Sequence, residues 1–405
     1  MSSTQTTTAC ILSREIRSNG QAHPTRICVI DIGTNSFHAV IGDAFSNGTF
    51  HVKDKLKNVV NLGRTGMNNH LLTDAAMDRG FQALQRIRRL AEGRNVEEYI
   101  AFATSAVRES SNGGDFIRRV RKQIGIDIRP IPAGFEALLI YKGVRQAVDL
   151  HAPALLVDIG GGSTEFVVGT DSEVLFKKSL KLGAARMTER FVTTDPISVD
   201  EYERLSDYYR EQLQPVLDND RSSGIVEIVG SSGTMKNLAR EAVDRGGESG
   251  KSIFNQEIPS SALLTAARAV IDSTREERMI MSSIDEKRID QIVAGTVLVE
   301  MLLEELEVDQ FRVSPDALRE GMSMYFIEQN SDRLEQIARF DNVRRRSVYR
   351  LGYTCRWDEP HANHVASLAV LLFDACRPLH GLELWARELL EYAALLHDIG
   401  YHISR

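Results

Sequence analysis

Short β-branched runs that end in polar turns alternate along most of the chain with longer stretches whose apolar residues recur at three- and four-residue steps. Arg26 to Ile32 (RICVIDI) stops at Gly33, and Phe37 to Gly42 (FHAVIG) starts a second run straight after it, which reads as strand, polar turn, strand. Residues 155 to 169 (LLVDIGGGSTEFVVG) repeat the device, with Asp at the strand end, glycines in the turn and an apolar strand leaving it. The pattern predicts an internal duplication. A third strand, Ile225 to Val229, runs into GSSGT at 230 to 234 and then into a helical stretch. Helical spacing is found over Ala75 to Leu90, Phe116 to Ile124, Glu136 to Val148, Glu201 to Leu217, Ser261 to Ile271 and Arg288 to Leu306.

Strands alternating with helices of this kind make α/β layers. Ser314-Pro315-Asp316 reads as a helix start, with Leu318, Met322 and Tyr325 on one face. Beyond about residue 330 no strand pattern returns, and the chain reaches Arg405 with the helical pattern still running. The domain reading is therefore a disordered tail over 1–25, one α/β domain over 26–150 and a second over 151–312. A closing helix and linker follow over 313–335, then an incomplete helical domain over 336–405.

A chain of 405 residues with 42% apolar residues fills more than one core. Its net charge of -7 argues against a broad nucleic-acid face, so a polyanionic ligand would have to meet a local basic groove. Cys10, Cys28, Cys355 and Cys376 contain no CxxC pair, which points away from a disulfide framework or a cysteine zinc site and toward the reducing cytoplasm. No run approaches the roughly 18 apolar residues of a membrane helix, and the N-terminus has the wrong order of parts for a signal peptide.

The chemistry resides in the turns. A strand ending in Asp and followed by glycine and hydroxyl or amide residues exposes backbone N–H groups and small polar side chains, which suit a phosphate or a hydrated metal. DIGTNS (31–36), DIGGGSTE (158–165) and GSSGT (230–234) together argue for phosphate loops more strongly than any one of them. Asn35, Ser36, Gly160, Gly161, Gly162, Ser163, Thr164, Ser231, Gly233 and Thr234 are the candidate phosphate-binding residues. Asp31, Asp158 and Glu165 are candidates for organising Mg2+, largely through water. Three basic clusters, Arg118-Arg119-Arg121-Lys122, Lys177-Lys178-Lys181 and Arg344 to Arg346, are candidates for holding the rest of a long anion.

The set DIGTNSFH, ATSAVRES, FEALLIYKGV, DIGGGSTE, LGAARMTERF, GSSGT and SPDALREGM, in that order, resembles the exopolyphosphatase and guanosine pentaphosphate phosphohydrolase (Ppx/GppA) family over roughly residues 26 to 330. The resemblance implies two ribonuclease-H-like domains of the actin, sugar kinase and heat-shock ATPase superfamily around a cleft. It implies that Glu136 positions or activates the attacking water, that Asp158 and Glu165 are the essential acidic pair, and that Arg108 reaches the phosphate from the first domain. Arg186 is a weaker candidate for the same task from the second. Phe135 stands where the family often carries a second acidic residue. His364 followed by His397-Asp398 resembles the opening of an HD domain, whose further Asp is missing here, so an intact dinuclear site is not expected. His361 and His402 read as surface residues.

The function expected is release of terminal orthophosphate from inorganic polyphosphate, guanosine pentaphosphate or both, without nucleic-acid or membrane partners and with a homodimer among the assemblies allowed. The competing readings are an ATP-using kinase or ATPase of the same superfamily and a non-catalytic sensor that binds guanosine tetraphosphate or pentaphosphate.

Overall fold

The computed structural model describes residues 24–63, 70–254, 256–338 and 343–402. Most of the tail expected over 1–25 lies outside them. Among these residues eleven strands form two sheets. The first contains β1 (Thr25–Ile32), β2 (Ser36–Ala44), β3 (Phe50–Val59), β4 (Glu98–Ala103) and β5 (Ile128–Pro130), in the order β3-β2-β1-β4-β5. The second contains β6 (Ala154–Ile159), β7 (Thr164–Gly169), β8 (Val174–Leu180), β9 (Glu227–Gly230), β10 (Ile258–Pro259) and β11 (Gln310–Val313), in the order β10-β11-β9-β6-β7-β8. Apart from the added β10, the two orders are the same once β6 is matched to β1, and the parallel pairs β1/β4 and β6/β9 correspond. The duplication read from the two Asp-Gly turns is therefore a duplication of sheet topology.

β3, β4, β5, β8 and β11 add strands that the apolar runs do not reveal. β3 carries lysines in alternation, β8 carries Lys177 and Lys178 in succession, and neither has a fully buried residue, so each lacks the continuous apolar signal that a doubly covered strand has. The helices form close to the predicted spans, at Asp74–Gly93, Gly113–Ile124, Ala133–Ala147, Val199–Ser223 and Ser260–Ile271. The helix expected from Arg288 runs instead over Ile292–Leu306, after a 3-10 turn at Glu286–Arg288. The helix expected at Ser314 begins at Leu318, because the Ser314 hydroxyl accepts the Asp316 N–H at 3.2 Å and holds a local turn there.

Two compact units are present: Arg26–Asp43 with Phe50–Phe326 hold both sheets, and the helices from Ile327 onward belong to the other. In the sheet unit, Ala133–Ala147, assigned by sequence to the first domain, packs instead on β7 and β8 of the second sheet. Ala137, Ile140, Tyr141 and Val144 bury there against Leu156 and Val167. The reason is the spacing of its apolar face, which meets the strands it precedes. This helix also crosses the helix Leu318–Gln329 at a pair of glycines. A methyl group on Gly143 would overlap the Ala317 carbonyl, and one on Gly321 would overlap the Leu139 carbonyl.

The unit from Ile327 is all-helical, with Val348, Tyr349, Ala366, Tyr392, Ala394 and Leu395 forming its core. No described helix of the chain is long and apolar enough to cross a membrane.

Because the glycine crossing leaves no room for a side chain, Gly321→Ala should overpack it and lower stability by about 1–3 kcal/mol, read as a lower denaturant midpoint at unchanged m. A variant as stable as the parent would show that the helices do not approach so closely.

Candidate active site

The two Asp-Gly turns share a geometry. Gly33 N–H donates to the Ser36 carbonyl at 3.3 Å, and Gly160 N–H donates to the Ser163 carbonyl at 2.9 Å. None of Gly33, Gly160, Gly161 and Gly162 has a positive φ, so left-handed backbone is not why glycine stands there. The reason is close approach. A methyl group on Gly161 would lie 3.2 Å from Thr34 Cβ and 3.7 Å from Asn35 Cβ, which means the two loops face each other across a narrow gap. Gly183 is packed against the backbone of Gly161 and Gly162 from behind.

Between the loops lies a cavity of about 280 Å³. Asp31, Glu136, Asp158 and Glu165 all line it, each delivered by a different local device. Asp31 and Asp158 sit near the ends of β1 and β6. Asp158 and Glu165 are direct cross-strand partners in the β6/β7 register, so a tight turn of seven residues' separation places both carboxylates at one mouth. Glu136 lies in the first turn of the helix Ala133–Ala147. Ser231 Oγ donates to Asp158 Oδ2 at 2.5 Å, and Ser179 Oγ donates to Glu165 Oε1 at 2.8 Å.

Of the expected phosphate-binding residues, Asn35, Ser36, Gly160, Gly161, Ser163, Ser231 and Gly233 line this cavity. Arg108, Gly162, Thr164 and Thr234 are not among its lining residues. Arg108 instead donates through Nη1 to Glu136 Oε2 at 2.8 Å and to the Ile131 carbonyl at 2.9 Å, so it acts on the carboxylate rather than on the cavity. Thr164 is fully buried and its hydroxyl donates to the Leu182 carbonyl at 3.0 Å. Thr234 is also fully buried, with its side chain against Gly295. Arg186 holds the glycine loop from behind, donating to the Gly162 carbonyl at 2.8 Å and to Glu109 at 2.9 Å. Both arginines find their partners elsewhere: each pairs with a backbone carbonyl and a carboxylate of the protein.

The basic side of the cavity comes from residues that no sequence run marks. Lys57, Lys236, Arg240, Arg288 and Arg319 line it, together with Thr34, His38, Thr104 and Ser105. They come from β3, from the helix Gly233–Arg245, from the 3-10 turn and from the helix Leu318–Gln329. Gly233 makes room for one of them, since a methyl group there would collide with the Arg288 guanidinium. The runs at 118–122 and 177–181 do not line the cavity. Arg344 and Arg345 belong to the other unit and pair with Glu388 and Glu391 at 3.4 and 2.8 Å.

Burial sets the electrostatics. Desolvation, reinforced by Glu136 and Asp158 and opposed by Arg319, pushes the Asp31 carboxyl up to about 7. Desolvation likewise raises Glu136 to about 7, with Arg108 pulling the other way. The helix N-terminus favours an ionised Glu136, but that effect is worth about 0.3–1 kcal/mol, less than tenfold in protonation, so burial decides. Asp158 is raised by desolvation against the Ser231 bond, and Glu165 is raised by desolvation and by repulsion from Glu136 and Asp158. Among the cations lining the same cavity, desolvation lowers Lys57, Lys236 and Arg288. His38 is lowered to about 3 by burial and by nearby cations, which keeps it neutral beside Ser36, 3.0 Å away.

Phe135 packs edge-on against Tyr325, with centroids 5.0 Å apart, and lies 6.2 Å from Phe102. An aromatic wall thus stands where the family often has an acidic neighbour of Glu136. In the helical unit, His361 rather than His364 joins His397 and Asp398. The Nε2 atoms of His361 and His397 lie 3.5 and 3.1 Å from Asp398 Oδ2, and His397 Nδ1 is 2.7 Å from the Ala394 carbonyl. All three are exposed, and among the described residues they form one three-ligand group, short of what two ions need. His361 is thus on the surface as expected; the His402 side chain lies outside the described residues.

The raised carboxyl values carry a sign for stability. The folded state binds more protons than the unfolded chain between the ordinary values near 3.8 and 4.5 and the folded value of about 7, so stability falls as pH rises through that window. Metal-free protein should lose thermal stability from pH 4.5 to pH 7.5, and Glu136→Gln should lose less over the same range. A flat or rising melting temperature in the parent, with no difference from Glu136→Gln, would contradict the buried, unneutralised cluster.

The model of the Ppx/GppA phosphatase family matches residues 44–329. Among solved structures, an exopolyphosphatase from Cytophaga hutchinsonii is 32% identical with a TM-score of 0.71, over 75% of this chain and 98% of that one. A Ppx/GppA family member from Aquifex aeolicus is 25% identical with a TM-score of 0.65, over 76% of this chain and 98% of that one. The facing loops, the acidic cluster and these matches together place the chain in the Ppx/GppA phosphatase family.

Proposed function

We propose that the protein releases terminal orthophosphate from inorganic polyphosphate and from guanosine pentaphosphate, with Glu136 holding and deprotonating the attacking water. The observation that carries this reading is the approach of Gly161 to Thr34 and Asn35, which brings two N–H-rich loops together beside a buried Glu136. A phosphoanhydride chain presents one anion per phosphate, and the cavity answers with loops at one end and Lys57, Lys236, Arg288 and Arg319 around it.

The donor set also bears on a metal. Four carboxylates around one cavity offer hard oxygen ligands and repel one another, a combination that fits Mg2+. Asp31, Asp158 and Glu165 would hold it, in part through water. When bound, the ion supplies charge neutralisation on the phosphate oxygens.

The chain's own residues do the rest. Ser36, Ser163 and the loop amides fix the terminal phosphoryl group; the P–O bond to water forms as the bridging P–O bond breaks in line, and the remaining chain leaves with the electron pair on its terminal oxygen. The water proton passes to Glu136. A carboxyl raised to about 7 is basic enough to accept it, and Arg108 limits that rise by its ion pair at 2.8 Å. Arg108 is thus a positioning residue.

Glu136→Gln should lower turnover by about 10²–10⁴-fold on long polyphosphate, tripolyphosphate and guanosine pentaphosphate at fixed magnesium, while substrate binding persists. Full activity in that variant would remove Glu136 from the mechanism, and faster release from ATP than from polyphosphate would favour the kinase or ATPase reading. Arg108→Gln withdraws the charge that depresses Glu136, so the ascending limb of its pH–rate profile should move to higher pH. A purely structural role for Arg108 would lower the rate without moving that limb.

A further inference from the structure

The short helix Ser105–Glu109 has five residues, and three of its side chains end on parts of the site. Ser105 Oγ lies 3.0 Å from Thr34 Oγ1 on the first Asp-Gly loop, with both groups buried. Arg108 Nη1 donates to Glu136. Glu109 Oε2 accepts from Arg186 Nη2 at 2.9 Å and lies 3.2 Å from Lys181 Nζ, both partners coming from the segment that follows β8. Behind the helix, Gly113 packs so closely that a methyl group on it would overlap the Val107 carbonyl.

What Arg186 holds decides what Glu109 can do. The carbonyls of Gly160, Gly161 and Gly162 accept from Ala184 N–H at 2.9 Å, Arg186 N–H at 3.0 Å and Arg186 Nε at 2.8 Å. A trans peptide sets its C=O and N–H on opposite sides, so the amides of Gly161, Gly162 and Ser163 point away from the helix Ala184–Phe191 that carries these donors. None of the three N–H groups donates to a protein group among the described residues. They are the donors left for an anion, and two backbone anchors and one side-chain anchor set their direction. The side-chain anchor is a guanidinium on rotatable bonds, and its second donor, Nη2, is held by Glu109. Arg186 is 7% exposed, so its charge needs a partner there; Glu109 is the carboxylate that supplies one.

We propose that Glu109 is a positioning residue that acts through Arg186 to aim the Ser163 amide and its neighbours at the terminal phosphoryl group. This rests on the phosphate reading of the cavity. The helix Ser105–Glu109 then sets three parts in register: the first loop through Ser105, the water-activating carboxylate through Arg108 and the second loop through Glu109. The loop grips only the end of a phosphate chain, while Lys57, Lys236, Arg288 and Arg319 line the space around it. Misaimed amides therefore slow the reaction more than they weaken the binding of a long chain.

The test is steady-state phosphate release from long polyphosphate by the full chain at fixed magnesium, with the denaturant midpoint of each variant measured beside it. Glu109→Ala should lower kcat about tenfold and change KM less than about threefold, since donors are misaimed rather than removed. Glu109→Gln keeps an acceptor oxygen at the same reach without the charge, so it should recover most of that turnover. Arg186→Met keeps the volume without the donors; in that background Glu109→Ala should cost less than about twofold more, because the contact it breaks is already gone. Unchanged kcat in Glu109→Ala, or the same further loss in the Arg186→Met background, would overturn the proposal. So would a Glu109→Gln variant as slow as Glu109→Ala, which would show that Glu109 acts by its charge alone. A parent that releases no phosphate from polyphosphate would sink the phosphate reading of the cavity instead, so the two failures are told apart.

Discussion

The constraint on which the rest of this structure depends is the crowding of Asp31, Glu136, Asp158 and Glu165 around one small cavity. Carboxylates removed from water and set beside one another are costly to keep ionised, and the raised values of all four express that cost. The surrounding architecture answers it unevenly. Of the four carboxyls Arg108 pairs with Glu136, while Ser231 and Ser179 supply single hydrogen bonds to Asp158 and Glu165. What is left unmet faces the same cavity as Lys57, Lys236, Arg240, Arg288 and Arg319, so opposite charges line one small space.

Duplication explains how such a site is assembled. Two sheets of the same strand order each end a central strand in an Asp-Gly turn. Each turn alone is a modest array of N–H groups. Their opposition across Gly161 and Thr34 doubles the array and encloses it. The helix Ala133–Ala147 then carries Glu136 in its first turn while its apolar face packs on the second sheet, and its glycine crossing with Leu318–Gln329 positions Arg319 at the same cavity.

Arginine behaves in this protein as the residue that decides geometry more than ligand contact. Arg108 and Arg186 each spend their donors on backbone carbonyls and carboxylates, Glu136 buried and Glu109 half-buried. The arginines left to face the cavity are Arg240, Arg288 and Arg319. The Ppx/GppA phosphatase family match over residues 44–329 includes the loops from 158 and 230 and the helix that carries Arg319. A second, less polar space beyond Arg240 is lined by the segment from Ser249 to Phe254.

What the sequence by itself determined was local: the Asp-Gly turns, the helices with strong apolar spacing, the strand-turn-strand around residues 155 to 169, and the duplication. Each depends on residues close in the chain, where strand and helix periods fix relative position. Tertiary structure alone decided which side chains reach the cavity. Lys57, Lys236, Arg240, Arg288 and Arg319 come from four separate segments and do not form one basic run in the sequence, whereas the basic runs at 118–122 and 177–181 are not among the residues that line it. The helix Ala133–Ala147 joined the second sheet and Arg108 turned to Glu136 for the same reason: long-range packing and the search of buried charges for partners are settled by contacts between segments far apart in sequence, which no local period records.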